Sequence, residues 1–523
     1  MSQRLLFPLQ MALILAAAGC VLSSATYAQD WPSRAGGQTR NAAREQSRVP
    51  VEFEINNEGK GKNTKWIADV GMGVGSEPAI ANGLVWVGGS NRTPRDPNFT
   101  EDAGVLFCFR ERDGKFLYQH SSRRREEGRN HDSPGYGIAS TPWIEEDKLY
   151  FCTNRCETAC LDIKPLIDGT GTPTEVWKVD MVEKYGVFPG VAHIASRHLH
   201  CSPFVWGDFV YVNTTHSVRP YLRDELKERA EPAPSLVCFN RHSGELQWSD
   251  NSPGNQVLGP QWNNPTVIRA GGRDQVVMGQ GDGWVRSFDC RTGKLIWKFD
   301  MNEKLARLKL GEDWQFEGHL RQAIAEPVLY NERLFLVGGF EYEFGASTGR
   351  VCCIDPSKTG DISDELMSKE NSRSPNPNSG LIWEFRGSPS GADGWKADQE
   401  NPNVMHSSFG SAAVAKGFVV VTDLNGCVHC LDEKSGNRLW SYDTLGAIWG
   451  SPLIMGDQII ASNEEGSIFS IPLSKTLDKG KVRQNDTCQM LQSSPVFAND
   501  SFYFSSYSRL FAIAASDPNL ENK

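Results

Sequence analysis

The sequence predicts an all-β fold, an eight-bladed β-propeller of four-stranded antiparallel blades, and two repeated patterns predict it. The first pattern is a small residue, an apolar residue, a polar turn ending in Gly, and then an aromatic residue. Its clearest copies span residues 108–118, 238–248, 287–297 and 430–440. One spacing kept along the chain is typical of stacked repeat units, which form a single body whatever their total length.

The second pattern precedes each copy of the first: a polar residue, usually followed by Pro, then two apolar runs separated by a Gly, Asn or Asp turn. The polar residue opens eight units, at Glu77, Thr141, Ser202, Asn264, Glu326, Ser411, Ser451 and Ser494. Together the two patterns describe short strands joined by turns, which is typical of a four-stranded antiparallel blade.

The two ends of the repeat region are expected to pair. The last unit supplies only three strands, and the strand it lacks is available at 64–68, which contains Trp66. Pairing the first strand with the last blade closes the ring and removes an open sheet edge. We therefore expect residues 61–515 to form one propeller, with an N-terminal extension at 29–60 and a C-terminal tail at 516–523.

Residues 1–28 read as a secretory signal peptide, because Arg4 is followed by a short apolar run and then by small residues ending at Ala28. A second interpretation is a lipoprotein box at 17–20, with Cys20 as a lipid anchor. No other stretch reaches the ~18 apolar residues that a transmembrane helix needs. We expect an exported protein, periplasmic or secreted, with a lipoprotein as the minor alternative.

Composition limits the partners and the disulfides. The net charge of −10 offers no electrostatic reason to bind nucleic acid. Thirteen cysteines in an exported chain would suggest a disulfide framework. Five of them fill the small first position of the repeat, which Ser or Ala fills in other copies: Cys108, Cys160, Cys238, Cys353 and Cys430. We expect these five to be unpaired packing residues. Cys152 and Cys156 are a plausible local pair, and the pairing of Cys201, Cys290 and Cys488 stays open.

The first pattern resembles the tryptophan-docking motif of quinoprotein-type propellers, most closely at 287–297. In that family the aromatic residue packs between neighbouring blades. The corresponding residues of this chain are Trp66, Tyr118, Trp177, Trp248, Trp297, Trp383 and Trp440. The seventh unit departs from the pattern, because no Trp follows Ser470 at the right distance.

The long segments fall mainly in the loops of one propeller face, which the pattern predicts to be the binding face. Most histidines lie in these loops, and the tightest group is His193, His198 and His200. Imidazoles ligate metals and transfer protons near neutral pH, so these three are the candidate metal ligands.

The residues that open the innermost strands are expected to ring the mouth of the central channel. The resemblance implies pyrroloquinoline quinone with Ca²⁺ at this mouth, held by a carboxylate and an amide, with a carboxylate base, a basic side chain and a Trp floor. The candidates are Glu77 or Glu326 as catalytic carboxylates, and Trp262, Asn264 and Arg321 as cofactor-binding residues. A polar lining of a wet channel needs no such role, and that interpretation stays open.

Three functions follow. The first is a binding or assembly module, similar in kind to the propeller lipoproteins of bacterial outer-membrane protein assembly, which takes a protein or glycan ligand on the long-loop face. The second is a pyrroloquinoline-quinone-dependent alcohol or sugar dehydrogenase. The third is a hydrolase or lyase that uses the loop histidines with a metal. No CxxCH motif is present, so no c-type haem attachment is expected. The incomplete cofactor signature favours the binding module.

Overall fold

The computed structural model describes residues 29–50, 52–55, 61–72, 76–125, 135, 137–188, 201–216, 233–254, 257, 261–302, 323–339, 349–367, 373–386 and 404–516. They form an eight-bladed β-propeller of four-stranded antiparallel sheets, as the repeat predicts. The segment before the blades holds a 3-10 helix (Arg34–Gly36), β1 (Ala43–Arg44), β2 (Val49–Pro50) and β3 (Thr64–Asp69).

The first four blades follow one another along the chain. Blade 1 holds β4 (Ala79–Ala81), β5 (Leu84–Ser90), β6 (Ala103–Arg110) and β7 (Phe116–Arg123). Blade 2 holds β8 (Trp143–Glu145), β9 (Lys148–Cys152), β10 (Glu157–Asp162) and β11 (Thr174–Asp180), with α1 (Lys164–Ile167) before β11 and α2 (Met181–Tyr185) after it. Blade 3 holds β12 (Phe204–Trp206), β13 (Phe209–Asn213), β14 (Leu236–Asn240) and β15 (Leu246–Asp250). Blade 4 holds β16 (Thr266–Ala270), β17 (Arg273–Gly279), β18 (Trp284–Asp289) and β19 (Leu295–Asp300).

In the second half, blade 5 carries inserted strands. Blade 5 holds β20 (Val328–Tyr330), β21 (Arg333–Gly338), β22 (Arg350–Ile354) and β26 (Leu381–Arg386), with β23 (Gly360–Asp361), β24 (Glu365–Met367) and β25 (Arg373–Pro375) inserted before β26. Blade 6 holds β27 (Ala413–Ala415), β28 (Phe418–Thr422), β29 (Cys427–Asp432) and β30 (Arg438–Asp443). Blade 7 holds β31 (Leu453–Met455), β32 (Gln458–Ser462), β33 (Ser467–Pro472) and β34 (Arg483–Asp486), with a 3-10 helix (Lys479–Lys481) before β34. Blade 8 holds β35 (Val496–Ala498), β36 (Ser501–Ser505) and β37 (Arg509–Ser516).

The N-terminal strand lies beside the last blade. β3 pairs antiparallel with β37, and Trp66 stands opposite Ala512. β2 pairs with the far end of β37, so that Val49 lies opposite Ser516. Aromatic and aliphatic side chains from blade 1, blade 8 and the N-terminal segment share one hydrophobic core cluster, in which Trp31 is 1% exposed.

The recurring aromatic residue packs on the next blade through a hydrogen bond and a glycine. Trp177 stands opposite the small Cys160 in its own blade. Its indole Nε1 donates to the carbonyl oxygen of Arg241 in the next blade at 2.8 Å. A Cβ on Gly244, whose φ is +70°, would lie 2.7 Å from the Trp177 ring. The glycine is therefore required both by its backbone conformation and by the approach of the ring.

The same arrangement recurs between other blades: Trp66 packs on Gly114, Trp248 on Gly293, and Trp383 on Gly436. Two copies differ. Trp297 donates to Gln275 Oε1 in its own blade at 2.8 Å. In blade 7 the residue opposite Ser470 is Arg483, which confirms that this blade lacks the docking aromatic.

The cysteines that fill the small positions are buried and unpaired, as predicted. The Cys152–Cys156 pair expected from the sequence is not formed, and no disulfide occurs within the described ranges. Cys156 has a φ of 61°, and its thiol donates to the carbonyl oxygen of Thr214 in blade 3 at 3.4 Å. The Cys152 thiol lies 3.7 Å from Thr158 Oγ1 instead. The turn therefore directs the two thiols to different partners. Cys201 and Cys290 are buried, and Cys488 is exposed.

No helix in the described part of the chain is long and apolar enough to span a membrane.

Candidate functional site

The N-terminal segment enters the central channel along the innermost strands. Trp31 and Ile80 of β4 exchange two backbone hydrogen bonds of 2.8 Å, and Ile144 of β8 donates to the carbonyl oxygen of Pro32 at 2.8 Å. On the returning half of the segment, β1 pairs in parallel with β31 of blade 7. On the same returning half, Asn41 Nδ2 donates to the carbonyl oxygen of Val414 in β27 of blade 6 at 2.8 Å. The segment thus touches the inner strands of blades 2 and 6, which are on opposite sides of the ring, and lies in the channel between them.

Arg34 stands at the tip of this segment, where it meets the residues that open the inner strands. Its guanidinium lies 2.5 Å from Glu326 and 3.5 Å from Glu77. The backbone N–H of Ala35 donates to the other Glu77 oxygen at 3.1 Å. Because Glu77 is 2% and Glu326 is 3% exposed, the two candidate catalytic carboxylates form one buried cluster with Arg34.

The polar residues that open the blades form a hydrogen-bonded ring at the mouth of the channel. In most neighbouring pairs, the backbone N–H of one residue donates to the side-chain oxygen of the next. The observed pairs are Glu77 to Thr141 at 3.0 Å, Thr141 to Ser202 at 3.0 Å, Ser202 to Asn264 at 2.6 Å, Ser411 to Ser451 at 2.9 Å and Ser451 to Ser494 at 2.9 Å. A buried ring of this kind satisfies polar groups that would otherwise lack partners.

Asn264 and Glu326 connect the two halves of the ring. The Asn264 Nδ2 donates to Glu326 Oε1 at 2.6 Å, while Asn264 Oδ1 accepts from the N–H of Ser202. The Ser411 hydroxyl donates to Glu326 Oε2 at 2.6 Å. Both carboxylate oxygens of Glu326, and both polar atoms of the Asn264 side chain, therefore have protein partners.

The charges in the cluster stabilise one another. Burial opposes the charged form of Arg34, but the attraction of Glu326 and Glu77 outweighs it and raises the Arg34 pKa. Burial also favours the neutral form of Glu326, but Arg34 and Arg40 outweigh it and lower the Glu326 pKa below its ordinary value. The cluster is therefore an ion pair with Glu326 as the carboxylate.

Arg40 is buried beside this cluster and forms no ion pair with a carboxylate of the described residues. Its guanidinium donates to the carbonyl oxygens of Arg34 at 2.9 Å and Pro203 at 3.2 Å. It also lies over the rings of Trp143, at 5.5 Å, and Phe204, at 5.0 Å. Burial lowers the Arg40 pKa to about 10. Arg40 joins the inserted segment to the inner strands of blades 2 and 3.

Above the ring, the connections that enter blades 4, 6 and 7 bring three aromatic residues together. The ring centroids of Trp262 and Phe409 are 5.0 Å apart, and those of Phe409 and Trp449 are 5.4 Å apart. Trp449 Nε1 donates to Glu464 Oε2 at 2.9 Å. All three side chains are half-buried. We call Trp262, Phe409 and Trp449 the aromatic cluster.

The predicted calcium ligands, as they are arranged, do not fit calcium. Ca²⁺ takes six to eight oxygen ligands, mainly from carboxylates and carbonyls. The Asn264 oxygen already accepts from a backbone N–H, and the guanidinium of Arg34 lies against the Glu326 carboxylate. A calcium ion at Glu326 would have to displace Arg34, which is the main countercharge of that carboxylate.

The structure brings together three of the residues singled out from the sequence, Glu77, Asn264 and Glu326. The fourth described candidate, Trp262, contacts Phe409 in the aromatic cluster. Arg321, and the histidines His193, His198 and His200, lie outside the described residues. Sequence reasoning did not identify Arg34 or Arg40. The available signal was Trp31 in the same extension, because Trp is usually buried in globular proteins and so indicates that the extension packs against the propeller.

A family model described as outer membrane protein assembly factor BamB matches residues 170–376 and 386–517. The chain belongs to this family. The family is one of quinoprotein-type repeat propellers, which confirms the resemblance noted in the repeat. No curated protein is similar enough in sequence to count as a match.

Solved structures agree on the fold. BamB from Moraxella catarrhalis superposes with a TM-score of 0.52 at 12% identity, over 89% of this chain and 99% of that chain. The quinohemoprotein alcohol dehydrogenase from Comamonas testosteroni superposes with a TM-score of 0.57 at 11% identity, over 93% of this chain and 80% of that chain. Sqt1 from Saccharomyces cerevisiae superposes with a TM-score of 0.51 at 10% identity, over 90% of this chain and 100% of that chain. Such different proteins share the propeller, so these similarities establish the fold alone.

Proposed function

We propose that this protein is an exported binding and assembly module that takes a polypeptide segment on its loop face, at the aromatic cluster. The observation that carries the proposal is the contrast within the mouth of the channel. The polar groups of the ring are paired with one another and with Arg34, whereas the aromatic side chains above them are half-buried.

Half-exposed aromatic residues are suited to binding other chains. Trp and Tyr, together with Arg, are enriched among the residues that carry most of the energy of protein interfaces. Leu445 lies in the same blade-to-blade connection as Trp449 and is 84% exposed. An apolar ligand side chain that covered these groups would remove apolar area from water at about 25 cal/mol per Å².

The family supports the class of ligand. Its model bears the name of an outer membrane protein assembly factor. We therefore propose that the ligand is an extended segment of an outer-membrane β-barrel polypeptide, and that the protein acts in the periplasm or is secreted. The predicted signal peptide at 1–28, or a lipid anchor at Cys20, would deliver it there.

The test measures binding of synthetic β-strand peptides from an outer-membrane barrel protein to the purified chain without residues 1–28. The readouts are calorimetry and the quenching of tryptophan fluorescence. We expect Trp449→Ala and Leu445→Glu each to weaken binding by at least about tenfold, which corresponds to about 1.4 kcal/mol. Leu295→Glu is the matched control, because Leu295 is an apolar residue of the outer strand β19 and is 51% exposed.

A quinone arm distinguishes the dehydrogenase alternative. Pyrroloquinoline quinone and Ca²⁺ are added to the same protein, and the absorption spectrum and the dye-linked oxidation of an alcohol panel are recorded. We expect neither stoichiometric binding nor turnover, because Arg34 already pairs with the candidate carboxylates. Turnover that is lost in Glu326→Gln, or peptide binding that Leu445→Glu leaves unchanged, would overturn the proposal.

A further inference from the structure

A second cluster of chemically reactive side chains lies inside blade 6, away from the channel. Asp423 follows β28, and Cys427 and His429 stand in β29, the next strand. His406 lies in the connection that enters the blade. Asp423, His406 and His429 have no exposed surface, and Cys427 is 1% exposed.

The donor atoms of this cluster converge. One oxygen, one sulfur and one nitrogen, from Asp423, Cys427 and His429, lie within 4.8 Å of one another. The same Asp423 oxygen, Oδ2, is 2.9 Å from His429 Nε2 and 3.0 Å from His406 Nδ1. Carboxylate, thiolate and imidazole are the three ligand types that Zn²⁺ prefers in proteins.

Blade 7 shows that the local turn does not need these side chains. There Asn463 takes the position of Asp423: it accepts from the N–H of Ser467 at 3.0 Å, as Asp423 accepts from the N–H of Cys427 at 3.0 Å. Counting along the two strands, Ser467 corresponds to Cys427, and Phe469 corresponds to His429. An uncharged amide therefore builds the same turn without a buried carboxylate, whose desolvation is costly.

We propose that Asp423, Cys427 and His429 bind one Zn²⁺ ion, with His406 as the fourth ligand. Zinc bonds of about 2.0–2.3 Å place neighbouring ligand atoms roughly 3–4 Å apart. The 2.9 Å between Asp423 and His429 is close to this range, the Cys427 sulfur lies within 4.8 Å of both ligand atoms, and His406 approaches the group from the Asp423 side at 3.0 Å. Binding releases the Cys427 thiol proton to solvent. The dication, the carboxylate and the thiolate then sum to zero charge, so the buried site is neutral.

The surrounding hydrogen bonds orient the ligands for this role. The Ser441 hydroxyl lies 2.7 Å from His429 Nδ1, which leaves Nε2 of that ring directed at the cluster. The second oxygen of Asp423 accepts from the N–H groups of Asn425, at 3.1 Å, and Cys427. Partners of this kind hold metal ligands in place, and their loss typically weakens metal binding by about 10- to 100-fold.

The ion would join two parts of the chain. His406 belongs to the connection from blade 5, and it is close in sequence to Phe409 of the aromatic cluster, whereas the other ligands belong to blade 6 itself. We therefore expect a structural zinc site that fixes this connection on its blade.

The experiment refolds the purified chain with ZnCl₂ or with EDTA, in a Cys488→Ser background, since Cys488 is an exposed thiol that would compete for zinc. After desalting, zinc is counted by elemental analysis, and Co²⁺ replaces it to report a thiolate-to-cobalt absorption band. We expect about one ion per chain and a thermal midpoint that falls on chelation.

Matched variants separate binding from folding. Asp423→Asn and His429→Phe copy the residues of blade 7 and should abolish zinc binding and the cobalt band while keeping the fold. Ser441→Ala should weaken zinc binding by about 10- to 100-fold. Cys430→Ser is the control, because Ser287 fills the same packing position in blade 4, and it should bind zinc like the parent. Folded parent protein that retains no zinc, or a Cys427→Ser variant that retains it fully, refutes the site.

Discussion

Two layers at the mouth of the central channel differ in how their side chains are used: the ion-pair cluster around Arg34, which we call the filled end, and the aromatic cluster above it, which we call the aromatic end. From the side of the inner-strand turns, the N-terminal segment fills the channel and delivers Arg34 to two buried carboxylates. At the loop side, three half-buried aromatic residues gather, and Phe409 contacts both tryptophans. At the filled end, the charged side chains pair with one another inside the protein. At the aromatic end, the side chains keep part of their apolar surface exposed to solvent.

This difference separates stability from recognition. Substitutions at the filled end should change the free energy of unfolding, because they leave buried charges without partners. Substitutions at the aromatic end should mainly change peptide binding, because half-buried rings contribute less to the free energy of unfolding than fully buried ones.

Arg34→Ala should have the largest effect. It leaves Glu77 and Glu326 buried without their shared cation, which typically costs about 3–5 kcal/mol. Urea denaturation measures the change in the free energy of unfolding. Arg112→Ala is the control, because the Arg112 side chain is 76% exposed, and it should change stability by less than about 0.5 kcal/mol. Equal effects of the two variants would contradict the filled-channel interpretation.

Arg40→Met should lower the free energy of unfolding by less, about 1–3 kcal/mol. It keeps an apolar stem but leaves two carbonyl groups without their hydrogen-bond donor. The carbonyl groups are those of Arg34 and Pro203. The same denaturation curves measure it. A neutral result would mean that water replaces the guanidinium and that the segment is less closely packed than its contacts indicate.

Acid should weaken the filled end selectively. The Glu326 pKa is lowered from its ordinary value of 4.5 because the arginines outweigh the effect of burial. A carboxyl group whose folded-state pKa is depressed stabilises the fold above its unfolded pKa, and this contribution is lost as the pH falls through the folded value. Below about pH 4.5, the stability of wild type should therefore fall by up to about 1.4 kcal/mol per pH unit from this group.

The control for acid sensitivity is Glu326→Gln, which removes the titrating group. Its stability deficit relative to wild type should shrink as the pH falls from 6 toward about 3. A deficit that stays constant over this range would show that the Glu326 pKa is the same in the native and unfolded states, which contradicts the buried ion pair.

Phe409→Leu should have the smallest effect on stability and a clear effect on binding. It keeps an apolar side chain but removes two aromatic contacts, each worth about 0.5–1.5 kcal/mol. We expect the free energy of unfolding to fall by about 1 kcal/mol. The free energy of peptide binding should lose a larger fraction of its wild-type value than the free energy of unfolding does. If stability falls as far as in Arg34→Ala while affinity is unchanged, the aromatic cluster belongs to the core.

The scaffold could be predicted from the sequence because its determinants are local and repeated. The spacing from a small residue through Gly to Trp specifies a strand pair, a turn and a docking contact at once, as Cys160, Trp177 and Gly244 show. Each new copy tested the same interpretation. The position without an aromatic residue after Ser470 was visible for the same reason.

The site was predicted only in part because its contacts join distant positions. The polar residues before each inner strand converge on one ring, as their repeat position required. The sequence did not indicate that Arg34 pairs with these residues, because Arg34 lies far from Glu326 in the chain and belongs to no repeat. The partners of Asp423 were equally hidden, since His406 and His429 become neighbours only when the connection folds back on β29.

The pairing of β3 with β37 also governs the order of events during folding. β3 is among the first strands to be synthesised, yet its partner is the last strand of the propeller. Contacts between such distant segments form slowly, because a very long loop must close first. The last blade is therefore complete only when the whole propeller has been synthesised, and until then β3 lacks its partner strand and is exposed to aggregation. A circular permutant that begins after β3 and appends it behind β37 would turn this pairing into a local hairpin, so it should fold faster with little change in structure.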